Sequence, residues 1–179
     1  MKQRILSGTV LTVFLAAIIL FNQTLPLALH IAVAIIGTTA VFELGKAMGL
    51  AGKWYLFWPS LAAAAAVPFC DGRYLFLVYA LYTLVICCAM LACHKEVSFK
   101  DTFVLYSMVV LIPCALHSLV QLRELNRAHG MFYVLIAVFA AWIADVGAYF
   151  AGTFFGRHKL CPQISPKKTV EGAVGGLVL

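Results

Sequence analysis

Apolar runs separated by short polar breaks set the pattern of this chain. Six of them are long, covering roughly Ile5 to Phe21, Leu25 to Leu44, Trp54 to Phe69, Tyr74 to Cys93, Thr102 to Leu122 and Met131 to Phe155. A hydrocarbon core ~30 Å thick calls for ~20 helical residues per crossing, so the pattern predicts an all-α, polytopic integral membrane protein with about six transmembrane helices. A last apolar stretch, Gly172 to Leu179, reads as the start of a seventh helix, too short to cross a bilayer. The whole is expected to form a single membrane domain over 1–179. Residues 1–130 would hold the first five helices and their loops, 131–155 the sixth helix, and 156–179 a basic segment with the start of a truncated helix. On this reading the chain is a fragment or a truncated product.

The breaks carry their own signals. Asn22-Gln23-Thr24 with Pro26 predicts a tight, uncharged hairpin that makes the first two helices antiparallel neighbours. The Gly45 to Lys53 loop lies near Trp54 and Trp58, aromatics suited to the headgroup level. Glu43 reads as a carboxylate at the water boundary beside Lys46. The small residues Ala62 to Ala66 let a neighbouring helix approach closely, and Cys70-Asp71-Gly72-Arg73 forms a short outer turn. In the fifth run Pro113 removes a backbone hydrogen bond and kinks the helix. His117, four residues on, is expected to pair with a backbone carbonyl or to sit near the outer interface. Arg123, Glu124, Arg127 and His129, in the loop from Gln121 to Gly130, read as solvated.

Composition agrees with the pattern. The chain is 64% hydrophobic and 11% charged, with a mean hydropathy of +0.99, whereas soluble domains are about 25% charged. Its net charge of +6 invites a nucleic-acid reading that the loop assignment removes. Lys2, Arg4, Lys46, Lys53, Lys95, Lys100, Arg157, Lys159, Lys167 and Lys168 fall on one side of the predicted membrane, against Arg73, Arg123 and Arg127 on the other. The positive-inside rule then makes the N-terminus and the Gly156 to Thr169 segment cytoplasmic, and no nucleic-acid partner is expected. Six cysteines show no metal-ligand or CxxC spacing and read as small packing residues. The first run lacks a convincing cleavage site, so it reads as a retained helix, not a signal peptide.

Chemistry concentrates between Trp142 and Gly176. Asp145 is the one Asp, Glu, Lys or Arg between Arg127 and Arg157. If the sixth helix meets the boundary near Phe155, then at about 1.5 Å per residue Asp145 lies about 15 Å deeper, near the bilayer centre. Inserting a carboxylate there costs about 2.5 to 3.5 kcal/mol, and such groups face a bundle interior or a wet cavity. Helical spacing puts Ala141, Ala148 and Gly152 on its face, and Ala144, Ala148 and Gly152 form a small-residue stripe that predicts a close helix contact or a cavity. The alternative is a structural Asp bonded to a polar group on another helix. Beyond Gly156, Ser165-Pro166 has the form of a helix N-cap followed by proline at the first position. A helix starting there would aim N–H groups at an anion, with Lys167 and Lys168 in its first turn. No glycine precedes Lys168-Thr169 as a P-loop requires. Gly172, Gly175 and Gly176 instead let the returning helix pack tightly or let a ligand reach backbone.

The stretch W-I-A-D-V-G-A-Y-F-A-G-T-F-F-G-R-H-K-L-C-P-Q-I-S-P-K-K-T-V-E-G-A-V-G-G-L resembles the corresponding block of phosphatidate cytidylyltransferases, the CDP-diacylglycerol synthases. D-x-G-A-Y followed by S-P-x-K-T-x-E-G is the specific part, and the first 130 residues share only the hydropathy and the basic N-terminus. CTP-dependent lipid kinases share a weaker form. The resemblance implies a bacterial inner-membrane enzyme that takes CTP and phosphatidate within the bilayer, uses Mg²⁺ and admits a homodimer. It implies catalytic roles for Asp145 and Lys168, and substrate contacts from Ser165, Lys167, Thr169, Arg157, Lys159 and Glu171. The family's C-terminal signature of K-D, H-G-G and D-R elements is not in this chain, so the cation ligands are expected beyond Leu179, with Asp145 the one candidate within it. A different class, an ion- or proton-coupled carrier with Asp145 on its path, would call for more than one charge well inside the membrane. A purely structural membrane protein is the third reading.

Overall fold

The computed structural model describes residues 25, 27–126 and 128–178. The first predicted run, the Asn22-Gln23-Thr24 hairpin with Pro26, and Arg127 lie outside the described residues. The chain divides into two compact units between Leu125 and Asn126.

The first unit contains α1 (Ala28–Ala47), α2 (Trp54–Ala66), α3 (Gly72–Ala92) and α4 (Phe99–Glu124), with short 3-10 turns at Leu50–Gly52 and Val67–Phe69. α1 packs on α2 and α4, and α2 on α3 and α4. Val41, Leu56, Ala64, Leu105 and Val109 are fully buried at the centre of this core. Small residues set the closest approaches: a Cβ on Gly45 would lie 2.7 Å from the Phe57 ring, so the bare backbone there seats the ring. The apolar core is tied by hydroxyls. Ser60 Oγ donates to the Leu56 carbonyl at 2.7 Å and lies 3.0 Å from the Tyr82 hydroxyl, while Thr83 Oγ1 and the Tyr106 hydroxyl are 2.8 Å apart. Tyr82 and Tyr106 stack with ring centres 5.6 Å apart. Ser60, Tyr82, Thr83 and Tyr106 thereby find the partners that their burial demands, while Thr38 Oγ1 and the Nδ1 atoms of His30 and His117 are buried without one among the described residues.

Four described helices, α1, α3, α4 and Gly130–Phe154 of the second unit, are long and apolar enough to cross a membrane. Their outward faces carry large apolar side chains such as Phe76, Leu91 and Ile136, each more than half exposed, as lipid-facing residues are. The architecture is that of an all-α polytopic membrane protein. The third predicted run departs from expectation. Its helix α2 has 13 residues before the chain tightens into the turn at Val67–Phe69, where Pro68 lies; at ~1.5 Å per residue it spans about 20 Å, less than a bilayer core. α4 continues unbroken through the buried Pro113.

His117 has a partner that its sequence position does not suggest. It is 1% exposed, and its Nε2 donates to Asp71 Oδ1 at 3.1 Å, a side chain of the turn that precedes α3. Glu124 likewise is not merely solvated, since His30 Nε2 on α1 lies 3.3 Å from its Oε1.

Candidate functional site

The second unit contains α5 (Gly130–Phe154), an antiparallel hairpin of β1 (Lys159–Cys161) and β2 (Ser165–Thr169), and α6 (Val170–Val178). The small-residue stripe of α5 is where α6 lies. A Cβ on Gly172 would sit 2.8 Å from the Ala148 carbonyl oxygen and 3.1 Å from Gly152 Cα, and one on Gly176 would sit 2.9 Å from the Ala144 carbonyl oxygen. A Cβ on Gly175 would strike that of Ala151. Because Gly172 meets the C-terminal part of the stripe and Gly176 the earlier part, α6 returns antiparallel along α5. The predicted use of these glycines for tight packing is what the geometry contains.

The segment between the helices differs from expectation. Ser165-Pro166 does not begin a helix. It opens β2, with Ser165 opposite Cys161 and Thr169 opposite Lys159 across an irregular register. Pro166 has no N–H to give, and a two-stranded ribbon, all edge, tolerates that where a helix interior would not. The helix starts five residues later, where the buried Thr169 Oγ1 accepts the Gly172 N–H at 3.2 Å. Thr169 is thus the N-cap, with Glu171 in the first turn as the helix dipole favours.

Glu171 closes the base of the hairpin. Its carboxylate accepts the backbone N–H of Arg157 at 3.1 Å, that of His158 at 3.2 Å, and His158 Nδ1–H at 2.6 Å. These hydrogen bonds, the His158 side chain first, lower the Glu171 pKa to about 2. The sign follows directly: the contact is fully present above the ordinary carboxylate value and is lost only as pH falls toward 2.

Between α5, the hairpin and the start of α6 lies a cavity of about 600 Å³, within the size range of small-molecule sites. Asp145, Ala148 and Gly152 line it from α5, Lys159 from β1, and Lys167, Lys168 and Thr169 from β2. Five of the expected site residues, Asp145, Lys159, Lys167, Lys168 and Thr169, therefore meet around one space. Arg157, Ser165 and Glu171 do not line it: Arg157 and Glu171 are joined at the hairpin base, and Ser165 stands at the far end of β2. Tyr149 and Thr153 also line the cavity; the i+4 and i+8 positions from Asp145 on a helix could have disclosed them. His158 passes unnoticed in the sequence because its partner is distant along the chain.

The side chains of Asp145, Lys159, Lys167 and Lys168 form no ion pair with one another or with any other described residue. A carboxylate and three ammonium groups thus face a shared space without neutralising each other, an arrangement able to receive a polyanion. Among the described residues no group of three or more His, Cys, Asp or Glu side chains is placed to hold a metal ion. Among the described residues Asp145 is the single carboxylate lining the cavity. That suits a magnesium ion carried on phosphate oxygens, which needs only one or two protein carboxylates, and not a metal held by the described residues alone.

Comparison with known proteins gives a consistent picture. A model of the cytidylyltransferase family matches residues 2–179. The phosphatidate cytidylyltransferase of Bacillus subtilis (strain 168) is 31% identical over 192 residues, covering 100% of this chain and 68% of the relative. The phosphatidate cytidylyltransferase of Staphylococcus saprophyticus is 54% identical over 53 residues, covering 30% of this chain and 20% of its own length. That of Staphylococcus haemolyticus is 50% identical over the same length, with the same coverage. No solved structure matches.

Proposed function

We infer the activity from one premise, that this chain belongs to the cytidylyltransferase family. It acts as a phosphatidate cytidylyltransferase, a nucleotidyltransferase that makes CDP-diacylglycerol and pyrophosphate from CTP and phosphatidate. A phosphatidate phosphate oxygen attacks the α-phosphorus of CTP, the bond to the β-phosphate oxygen breaks, and pyrophosphate leaves with the electron pair. Gathering two polyanions and stabilising the charge that builds on the leaving group calls for fixed cations aimed at the phosphates. The observation that carries this reading is the cavity lined by Lys159, Lys167 and Lys168 with Asp145.

In this proposal Lys167, Lys168 and Lys159 hold nucleotide or lipid phosphates, with Thr169 at the mouth of α6. Lys168 stabilises the departing pyrophosphate. Asp145 would either supply one oxygen ligand to a Mg²⁺ or orient the lysines. Such an ion would add positive charge where the leaving group develops negative charge. A cavity at the side of a membrane helix lets a headgroup enter while its acyl chains stay in hydrocarbon. We place the hairpin on the cytoplasmic face of a bacterial plasma membrane, where CTP is made and where the excess of basic residues belongs.

The test is transfer of labelled CTP to phosphatidate in mixed micelles, run beside a liposome flux assay. Lys168→Ala and Asp145→Asn should each lower CDP-diacylglycerol formation by about 100-fold or more, the size of a lost electrostatic stabiliser. Full synthesis by both variants would remove the site assignment, and ion flux without transfer would favour a carrier.

A further inference from the structure

We propose that Glu171 and His158 act as a positioning clamp: they never touch substrate, and they hold the β-hairpin so that Lys159, Lys167 and Lys168 face one cavity. This rests on the phosphate-binding reading above and assigns the regulation of its geometry to two residues outside the cavity.

Three observations carry it. A hairpin of one three-residue and one five-residue strand is too small to be stable by itself, so something must fix its angle to the helices. Its strands contribute no described residue to an apolar core except Thr169; Lys159, Leu160, Pro166, Lys167 and Lys168 are all exposed. The fixing contacts lie at its base. Glu171, one residue into α6, gathers two consecutive backbone N–H groups and one imidazole N–H onto a single carboxylate. On the other side the Val170 N–H donates to the His158 carbonyl at 2.9 Å. The first residues after α5 and the first residues of α6 are thereby closed into a ring from which the hairpin projects. Of these contacts the one from His158 Nδ1, at 2.6 Å, has the short length of a charge-assisted bond, stronger than a neutral one.

The position also explains how the three lysines stay around one cavity. Three ammonium groups around one cavity repel, and a loose hairpin would let them swing into water, where each is better solvated. A ring closed at Glu171 and His158 resists that movement before any anion arrives. The entropy of ordering them is then not charged to binding. Because the Glu171 pKa is about 2, the carboxylate keeps its charge throughout the neutral range, and the neutral imidazole still offers Nδ1–H. The clamp therefore stays closed whether or not the ring carries a second proton.

Replacement of each partner tests it, with inorganic pyrophosphate as the probe titrated into the full chain in detergent micelles. Glu171→Gln should weaken pyrophosphate binding about tenfold, because ordering the hairpin would then be charged to binding. His158→Leu should do the same although it leaves every cavity residue in place. His158→Asn, whose amide N–H can stand where Nδ1–H stood, should recover most of the affinity. Tryptic cleavage after Lys159 and Lys167 should quicken in Glu171→Gln and His158→Leu and stay near the wild-type rate in His158→Asn. If Glu171→Gln weakens binding and His158→Leu does not, the carboxylate touches the ligand and the clamp is wrong. Wild-type affinity and wild-type proteolysis in both would also overturn it. Should the unaltered chain bind no pyrophosphate, the phosphate-site reading fails, and the cleavage rates alone decide whether the clamp exists.

Discussion

The two units treat their charged and polar side chains in opposite ways. In the first, the end formed by the Val67–Phe69 turn carries His30 against Glu124 and His117 against Asp71, with both imidazoles at least nine-tenths buried. His30 also stacks on Phe69 with ring centres 5.9 Å apart. In the second, Asp145 and three lysines surround a cavity without pairing to any described residue. Buried polar groups are costly unless satisfied, and in the first unit one pairing fastens α1 to α4 and the other fastens α4 to the turn before α3. Around the cavity the charges are left open to solvent or a ligand, and the pairing lies elsewhere, at Glu171. A charged group is available for chemistry where the fold leaves it unpaired.

The contrast breaks hardest at Gly172. A valine there would drive its side chain toward the Ala148 carbonyl oxygen and Gly152 Cα, both already within 3.1 Å of a Cβ position. Overpacking of this kind costs about 1–3 kcal/mol, and here the neighbour is backbone that cannot rotate away. Gly172→Val is expected to lower the thermal unfolding midpoint of the micelle-bound chain and to abolish pyrophosphate binding by parting α6 from α5. Unchanged values for both would mean that the two helices do not pack as described.

A smaller effect is expected from Asp71→Ala, and it sharpens the division. It leaves the His117 Nε2–H without its acceptor in a side chain whose Nδ1 already has no hydrogen-bond partner. The loss should be about 1–3 kcal/mol of stability, read from the unfolding midpoint, with pyrophosphate affinity unaltered. A drop in affinity equal to that of Lys168→Ala would show that the pairings of the first unit serve the site as well.

What could be read in the sequence follows from the range of the forces involved. Apolar runs of near-bilayer length declare helices whatever their neighbours, and the described residues contain helices in five of the six. The lone Asp145 beside a small-residue stripe foretold a close helix contact or a cavity, and the second unit contains both. The length of α2 was not legible: a helix stops where Pro68 and the packing of its turn make it stop, and hydropathy averages over both. Nor were the pairings of His117 and Glu171. Those partners are 46 and 13 residues away, and nothing local distinguishes a histidine that will meet a carboxylate from one that will meet water.

Ser165 shows the same limit at the site itself and gives the smallest expected effect. Local chemistry favoured it as a helix cap, since Ser-Pro has the right residue types in the right order, although Lys167 and Lys168 in a first turn would oppose the helix dipole. Thr169 won because its hydroxyl is buried against α5, where bare glycines make room for it: a Cβ on Gly152 would lie 3.0 Å from Thr169 Oγ1, and one on Gly156 2.8 Å from its Cγ2. Tertiary contact thus chose between two acceptable caps. Ser165→Ala removes a hydroxyl that neither lines the cavity nor caps α6, so pyrophosphate affinity and CTP transfer should stay within about threefold of wild type, the scatter expected for a surface substitution of up to about 0.5 kcal/mol. Thr169→Ala should weaken both far more, since it strips the Gly172 N–H of its acceptor. If the two substitutions trade places, with Ser165 the damaging one, the helix begins at the serine when ligand is bound, and the hairpin rearranges on binding.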